Sequence, residues 1–316
     1  MRKIVLIMMF LFAVSAWAQD VHFSQFLANS FSLNPGMVAL QKNDYKATLH
    51  RKSQWASVSV PFRTFTLALE RKNIFPSHSI GLQFLNDIAG DSRFKTSGLS
   101  FAYVKSVATN KKNIFRFGLY FGVFQRSIII DDLVFNSPEN FSDFNFTFPD
   151  LSLGLANQKI LNKKLLLESG IAFFHFNKPK QSFTNNDAFR LQQKINIHTK
   201  LAYTYSEKLC ILPKLVFTNQ DTDKEFLFGC DFNYLLEGDQ DILLKIGFSD
   251  RINDAFILYF GAEIERLSCV VSYDVNTSSL MNASNNRGGF EFALVYQWNS
   301  KKSKKIIEQE ICPRYL

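Results

Sequence analysis

The sequence predicts an all-β protein, an antiparallel up-and-down β-barrel of about 14 strands that spans a membrane. Three observations carry this expectation. Apolar and polar residues alternate with period two in stretch after stretch, an export signal precedes them, and the links between stretches alternate between brief and long. The last stretch shows the alternation plainly: Phe290, Phe292, Leu294, Tyr296 and Trp298 share one face, and Glu291, Ala293, Val295 and Gln297 the other. A soluble sandwich would turn that apolar face inward, whereas an outer-membrane barrel turns it to lipid.

Residues 1–18 read as a secretory signal. Arg2 and Lys3 form the positive start, Ile4 to Val14 the apolar stretch, and Ala16-Trp17-Ala18 the cleavage site before Gln19. The apolar run is too short for a spanning helix, which disfavours an N-terminal anchor. No Cys follows the cleavage site, which argues against a lipid-anchored mature N-terminus. Residues 19–43 come next and contain Asn34-Pro35-Gly36, a turn signal that breaks any strand. They are expected to form either a periplasmic lead-in or a plug folded into the lumen.

The barrel is expected over 44–299. Its strands fall near 44–52, 62–72, 78–87, 96–107, 113–128, 148–159, 164–177, 191–205, 209–218, 225–236, 241–249, 255–266, 268–276 and 289–299. An even count returns both termini to the periplasmic side. The links after even-numbered strands are brief, such as Ile74 to Ser77 and Ser206 to Lys208. Those between include long ones: Ile129 to Thr147, Asn177 to Arg190 and Thr277 to Gly288. Short periplasmic turns and longer outer loops are a barrel's habit; a sandwich gives no reason for the two to alternate in phase.

The strands also assign inside and outside. Phe115, Phe117, Leu119 and Phe121 oppose Arg116, Gly118, Tyr120 and Gly122. Phe256, Leu258, Phe260 and Ile264 oppose Ala255, Tyr259, Gly261, Glu263 and Glu265. Charges such as Arg116, Glu168, Glu263 and Glu291 would be costly against lipid and tolerable inside. The chain carries 34 Phe, yet mean hydropathy is only −0.05, because polar residues alternate with the apolar ones. The outer membrane, with its lipids as the surroundings of the apolar band, is the expected location.

The formal charge of +8 becomes +6 without Arg2 and Lys3. Export argues against nucleic acid as the partner of this basic balance, leaving anionic head groups or acidic proteins. The basic tail, 300–316, opens with Lys301, Lys302, Lys304 and Lys305 and ends Cys312-Pro313-Arg314-Tyr315-Leu316. It is expected in the periplasm, as a frayed terminus or as a docking element. Cys210, Cys230, Cys269 and Cys312 lack metal-site spacing, and their spacing fixes no disulfide.

The five His belong to no metal-binding arrangement, and neither a phosphate loop nor a CxxC motif is present. No cofactor or metal is expected. An enzyme would need an acid–His constellation at a barrel rim, for which His175 with Asp87 or Asp274 is the one opening. A turn or loop role for His175, satisfied by neighbouring backbone, is the preferred reading, and the protein is expected not to be an enzyme.

Several segments carry a resemblance. The start Gln19-Asp20-Val21-His22-Phe23-Ser24-Gln25-Phe26 is followed by Leu33-Asn34-Pro35, then Gln54-Trp55 and Asp87-Ile88-Ala89-Gly90. His175-Phe176-Asn177-Lys178-Pro179 with Ser182-Phe183, Ser272-Tyr273-Asp274-Val275-Asn276, Gly288-Gly289-Phe290-Glu291 and the Cys-Pro-Arg-Tyr ending complete the set. In this order they resemble the PorP/SprF family of Bacteroidetes outer-membrane proteins, associated with type IX secretion and gliding motility. The chain departs from the family at Val21, where Pro is usual, at Gly36, where Ala is usual, and at Lys52, where an Arg commonly precedes Gln-Trp. None of these disturbs the barrel; they leave the client open.

The resemblance implies a type IX component that anchors or helps export a surface adhesin or motility protein. Its candidate contacts with periplasmic machinery are Phe23, Gln25, Phe26, Asn34 and Pro35, with Lys301, Lys302, Lys304, Lys305, Pro313, Arg314 and Tyr315 of the tail. The alternative is a channel for small solutes, since about 14 strands enclose a wider lumen than eight.

Overall fold

The computed structural model describes residues 20–54, 60–90, 94–128, 144–183, 189–278, 281 and 287–300. Fourteen antiparallel strands form a closed barrel in simple sequential order. They are β1 (Tyr45–Gln54), β2 (Phe62–Phe75), β3 (His78–Ala89), β4 (Phe94–Asn110), β5 (Asn113–Ile128), β6 (Phe144–Asn162), β7 (Leu165–Phe174), β8 (Lys194–Thr204), β9 (Leu209–Gln220), β10 (Asp223–Leu236), β11 (Ile242–Arg251), β12 (Ala255–Ile264), β13 (Leu267–Asn276) and β14 (Arg287–Trp298). Pairing of β1 with β14, from Tyr45 opposite Trp298 to Gln54 opposite Gly289, closes the cylinder and leaves no open edge. Among the described residues no helix is long and apolar enough to cross a membrane.

Burial inverts the pattern of a soluble protein. Phe260 is 56% exposed and Leu119 55%, whereas Glu291 and His50 are 0% exposed. Along β5 the outward Phe117, Leu119 and Phe121 alternate with the buried Arg116, Gly118, Tyr120 and Gly122. The apolar face therefore points to lipid, and the polar face to the lumen, as the cost of a charge in hydrocarbon requires. Tyr45 and Trp298 stack at 5.1 Å across the closing seam, with Tyr296 against Trp298 and Arg71 over Tyr45, an aromatic girdle at one rim.

That rim carries the brief connections 76–77, 111–112, 163–164, 205–208, 237–241 and 265–266, and we call it the turn end. The opposite, loop end carries the long ones, together with short hairpins at 221–222 and 252–254. Ser77, Asp221, Asn253 and Glu265 take positive φ in these turns. Glu265 thus belongs to a turn, exposed, and not to the lumen face that the alternation of β12 suggests. β6 also starts earlier than the sequence indicates, at Phe144, and β7 stops at Phe174 because His175 turns the chain with φ of 55°.

Candidate functional site

The segment 20–40 lies inside the barrel. It begins at the loop end and descends to the turn end before entering β1. A 3-10 turn (Phe26–Ala28), one short helix, α1 (Ser30–Leu33), and a second 3-10 turn (Pro35–Met37) are its only regular elements among the described residues. So short a segment cannot satisfy its own backbone groups, and the polar lumen wall cannot be left bare without water or partners. Each supplies what the other lacks.

At the top, the Asp20 carboxylate is held by His175 Nε2 and by Lys194 Nζ at 2.8 Å, while His175 Nδ1 faces Asp150 Oδ1 at 2.8 Å. Burial alone would lower the His175 pKa, but the Asp20 and Asp150 carboxylates outweigh it and push it up to about 9. Burial would raise the Asp20 pKa, yet His175 and Lys194 hold it well below the usual carboxylate range. His22 is held low by burial and by the neighbouring Lys52 and Arg251 charges.

One layer down, Glu291 accepts the backbone N–H of Ser24 at 2.6 Å and of Gln25 at 3.0 Å. The same carboxylate meets His50 Nε2 at 3.2 Å and Lys52 Nζ at 3.1 Å. Ser24 Oγ donates to Asp274 at 2.6 Å and accepts from Arg251, and Tyr259 donates to Ser24 O at 2.7 Å. A buried carboxylate needs such a ring of donors to remain ionised.

Lower still, three inward glycines shape a slot. A Cβ at Gly118 would stand 2.2 Å from the Pro35 carbonyl carbon, one at Gly154 2.1 Å from Asn34 Oδ1, and one at Gly170 2.5 Å from Asn34 Nδ2. Asn34-Pro35-Gly36 can therefore press flat on β5, β6 and β7. Asn34 Nδ2 donates to Leu155 O at 2.9 Å and Ile171 O at 3.3 Å, and Arg116 caps the turn through Gly36 O at 2.9 Å and Val38 O at 2.6 Å. At the turn end Glu70 accepts Ser30 Oγ at 2.7 Å, the Ala39 N–H, and Lys46 at 2.8 Å. Apolar side chains complete the seal: Phe31 and Val38 pack with Ala102, Val104 and Tyr120, and Phe26 and Leu33 with Val216, Leu227 and Ile257. Cavities of about 500 and 400 Å³ remain at the loop end and about 300 Å³ at the turn end.

A family model described as type IX secretion system membrane protein PorP/SprF matches residues 15–296. The chain belongs to the PorP/SprF family. It is an outer-membrane β-barrel protein associated with type IX secretion. No curated protein sequence matches the chain. Among solved structures, a TodX deltaS2S3 mutant monoaromatic hydrocarbon channel superposes with a TM-score of 0.50 at 8% identity, covering 86% of this chain and 94% of that one. The CymD monoaromatic hydrocarbon channel gives 0.50 at 9%, covering 86% and 93%. A KdgM porin gives 0.43 at 6%, covering 80% and 99%. At such identities the likeness to the two hydrocarbon channels is one of fold.

This PorP/SprF protein distributes the residues singled out from its sequence unevenly. Phe23, Gln25, Phe26, Asn34 and Pro35 are all buried in the lumen. Phe23 packs on the His50 ring at 4.5 Å, Gln25 donates to Ser272 Oγ at 3.0 Å, and Phe26 lies beneath Lys214. They bond the barrel wall instead of facing the periplasm. The reason is that Gln25 and Asn34 satisfy inward carboxylate and carbonyl oxygens, while Phe23, Phe26 and Pro35 pack on the wall beside them. The start of the segment, Asp20, is at the loop end, opposite the rim where Ser300 donates to Asp44 at 2.8 Å. Lys301, Lys302, Lys304, Lys305, Pro313, Arg314 and Tyr315 lie outside the described residues, as do the signal, Trp55 and most of 129–147. Of the candidate acid–His partners, Asp87 accepts from Thr64 and Asp274 from Ser24; the carboxylates on His175 are Asp150 and Asp20. Cys210 is disulfide-bonded, and Cys230 and Cys269 are free. Sequence reasoning missed Glu70, Lys194 and the glycine slot.

Proposed function

We propose that this PorP/SprF protein is a closed outer-membrane anchor. It retains an exported adhesin or motility protein at its loop end and contacts the periplasmic part of the type IX system at its turn end. One observation carries this reading: segment 20–40 crosses the whole lumen and is tied to the wall at every level, from Asp20–Lys194 to Ala39–Glu70. A solute pore is poorly served by an interior filled in this way. The protein's use then lies at its two rims. The Lys301, Lys302, Lys304 and Lys305 cluster favours an acidic periplasmic partner and a salt-sensitive contact.

The test is deletion of residues 301–316 in cells that express the protein natively. Normal barrel assembly with loss of the surface client is the expected result; a client retained at normal levels would reject the periplasmic part of the proposal. Planar bilayers address the other part. The intact protein is expected to pass no large steady current, and a large one would favour the alternative, a small-solute channel.

A further inference from the structure

Barrel lumens are polar as a rule, and most of this wall obeys. The loop-end half between β2 and β7 does not. Inward positions there carry Leu85, Phe94, Tyr120, Phe124, Phe148 and Phe174 around the 500 Å³ cavity, with Phe31 of α1 among its lining residues. That volume is of the size that small-molecule sites have, about 300–1,000 Å³.

One charge in this apolar wall touches no counter-ion among the described residues. Arg126 lies between two rings, its guanidinium carbon 5.5 Å from the centroids of both Phe94 and Phe148. Its Nε donates to Thr96 Oγ1 at 3.2 Å and its Nη1 to Gln181 Oε1, both neutral acceptors. Among the described residues Arg126 forms no ion pair, and its Nη2 donates to none of them. Gln181, which braces it, has a buried Nε2 that likewise meets no acceptor. Of the other charges of the cavity, Asp150 is paired with His175 and Asp20 with Lys194 and His175, while Asp87 accepts only from Thr64 and acts on Arg126 without touching it. A half-buried guanidinium flanked by two aromatic faces is a strong site for a carboxylate, which its fork matches in geometry.

We infer that this cavity binds a small amphipathic monocarboxylate, with the acid group on Arg126 and an apolar ring or short chain among the phenylalanines. A single guanidinium with no carboxylate in contact, on which Asp20, Asp87 and Asp150 act from a distance, selects a monoanion over a phosphate dianion. The site is independent of which protein the barrel anchors, because it lies within the lumen, walled by β1 to β8, the β7–β8 link and the internal segment.

Equilibrium dialysis of the full-length protein in nanodiscs, against 2-naphthylacetate and its neutral analogue 2-naphthylacetamide, tests the inference, with empty nanodiscs as background. Saturable binding of the acid is expected, and Arg126→Gln should weaken it at least about tenfold while changing the amide little. Leu85→Trp, which fills the cavity, should abolish binding of both. Heat-modifiable migration on gels verifies that each variant is a folded barrel. The inference is overturned if the acid shows no saturable binding above empty nanodiscs, or binds no better than the amide. It is equally overturned if folded Arg126→Gln or Leu85→Trp protein still binds the acid as the parent does.

Discussion

Gly154 faces Asn34 so closely that a Cβ on it would stand 2.1 Å from Asn34 Oδ1. The turn that presses the internal segment to the wall therefore depends on a missing methyl group. Gly154→Ala is expected to destabilise the closed barrel by about 1–3 kcal/mol, the usual cost of overpacking, and Gly118→Ala likewise. Gly36→Ala is the control, because its added Cβ meets Ala156 N and Arg116 O at 3.1 Å, where a shift of a few tenths of an ångström suffices. Urea midpoints and bilayer conductance read both effects. Equal behaviour of Gly36→Ala and Gly154→Ala would refute the slot.

Glu291 is the most connected carboxylate of the lumen, bridging Ser24 and Gln25 to His50 and Lys52. Glu291→Ala strands Lys52, which is 1% exposed, and should cost about 3–5 kcal/mol, as broken buried pairs do. Adding Lys52→Met removes the stranded charge, so the double variant should recover part of that loss. A strictly additive cycle in the unfolding midpoint would mean that the two groups do not interact.

The strands, their number and their two faces were legible in the sequence because each is a local consequence of period-two alternation and of the cost of charge in lipid. Phe117 and Phe260 outward, Arg116 and Glu291 inward, follow from neighbours in the chain alone. The path of 20–40 was not legible, because it is set by residues that meet only in the closed barrel. Gly118, Gly154 and Gly170 sit on three strands, and nothing within any one strand announces a slot. Asn34 reads as a turn residue, which it is; that it spends its amide on Leu155 O and Ile171 O, 121 and 137 positions away, is a property of the assembled cylinder. His175 likewise reads as a rim turn, and its φ bears that out, but its ring is held by the Asp150 and Asp20 carboxylates and not by neighbouring backbone, and the tie to Asp20 joins residues 155 apart.

The Asp20–His175 contact makes closure of the loop end pH-dependent. His175 rises from 6.5 to about 9, so its contribution is complete below about pH 6.5 and is lost as pH climbs through 9. Asp20 is held below 3.8, so its contribution is complete above that value and is lost only in stronger acid. The latch is thus tightest between about pH 4 and 6.5 and still largely closed at neutrality. In a Cys230→Ser, Cys269→Ser background, Val21→Cys should react with an impermeant thiol reagent slowly at pH 7 and faster above pH 9, after correction for thiolate fraction. His175→Gln should remove that step. A corrected rate flat across this range would sink the prediction.

The two faces of the barrel differ in what they tolerate, and the structure changes which control is fair. Phe260→Arg puts a charge on lipid and should cost about 2–4 kcal/mol if it lies near the midplane. The lumen position next to it, Tyr259, is a poor comparison, because its hydroxyl holds Ser24 O and its ring lies 3.9 Å from Lys214 Nζ. Gly118 is worse, since any side chain there collides with Pro35. Val295 avoids both problems: it points inward and lines the 300 Å³ turn-end cavity beside Glu168 and Glu263. Val295→Arg should therefore fold and assemble close to normally, while Phe260→Arg reduces the heat-modifiable, assembled fraction. If the two variants lose assembly equally, the assignment of lipid and lumen faces in β12 and β14 is wrong.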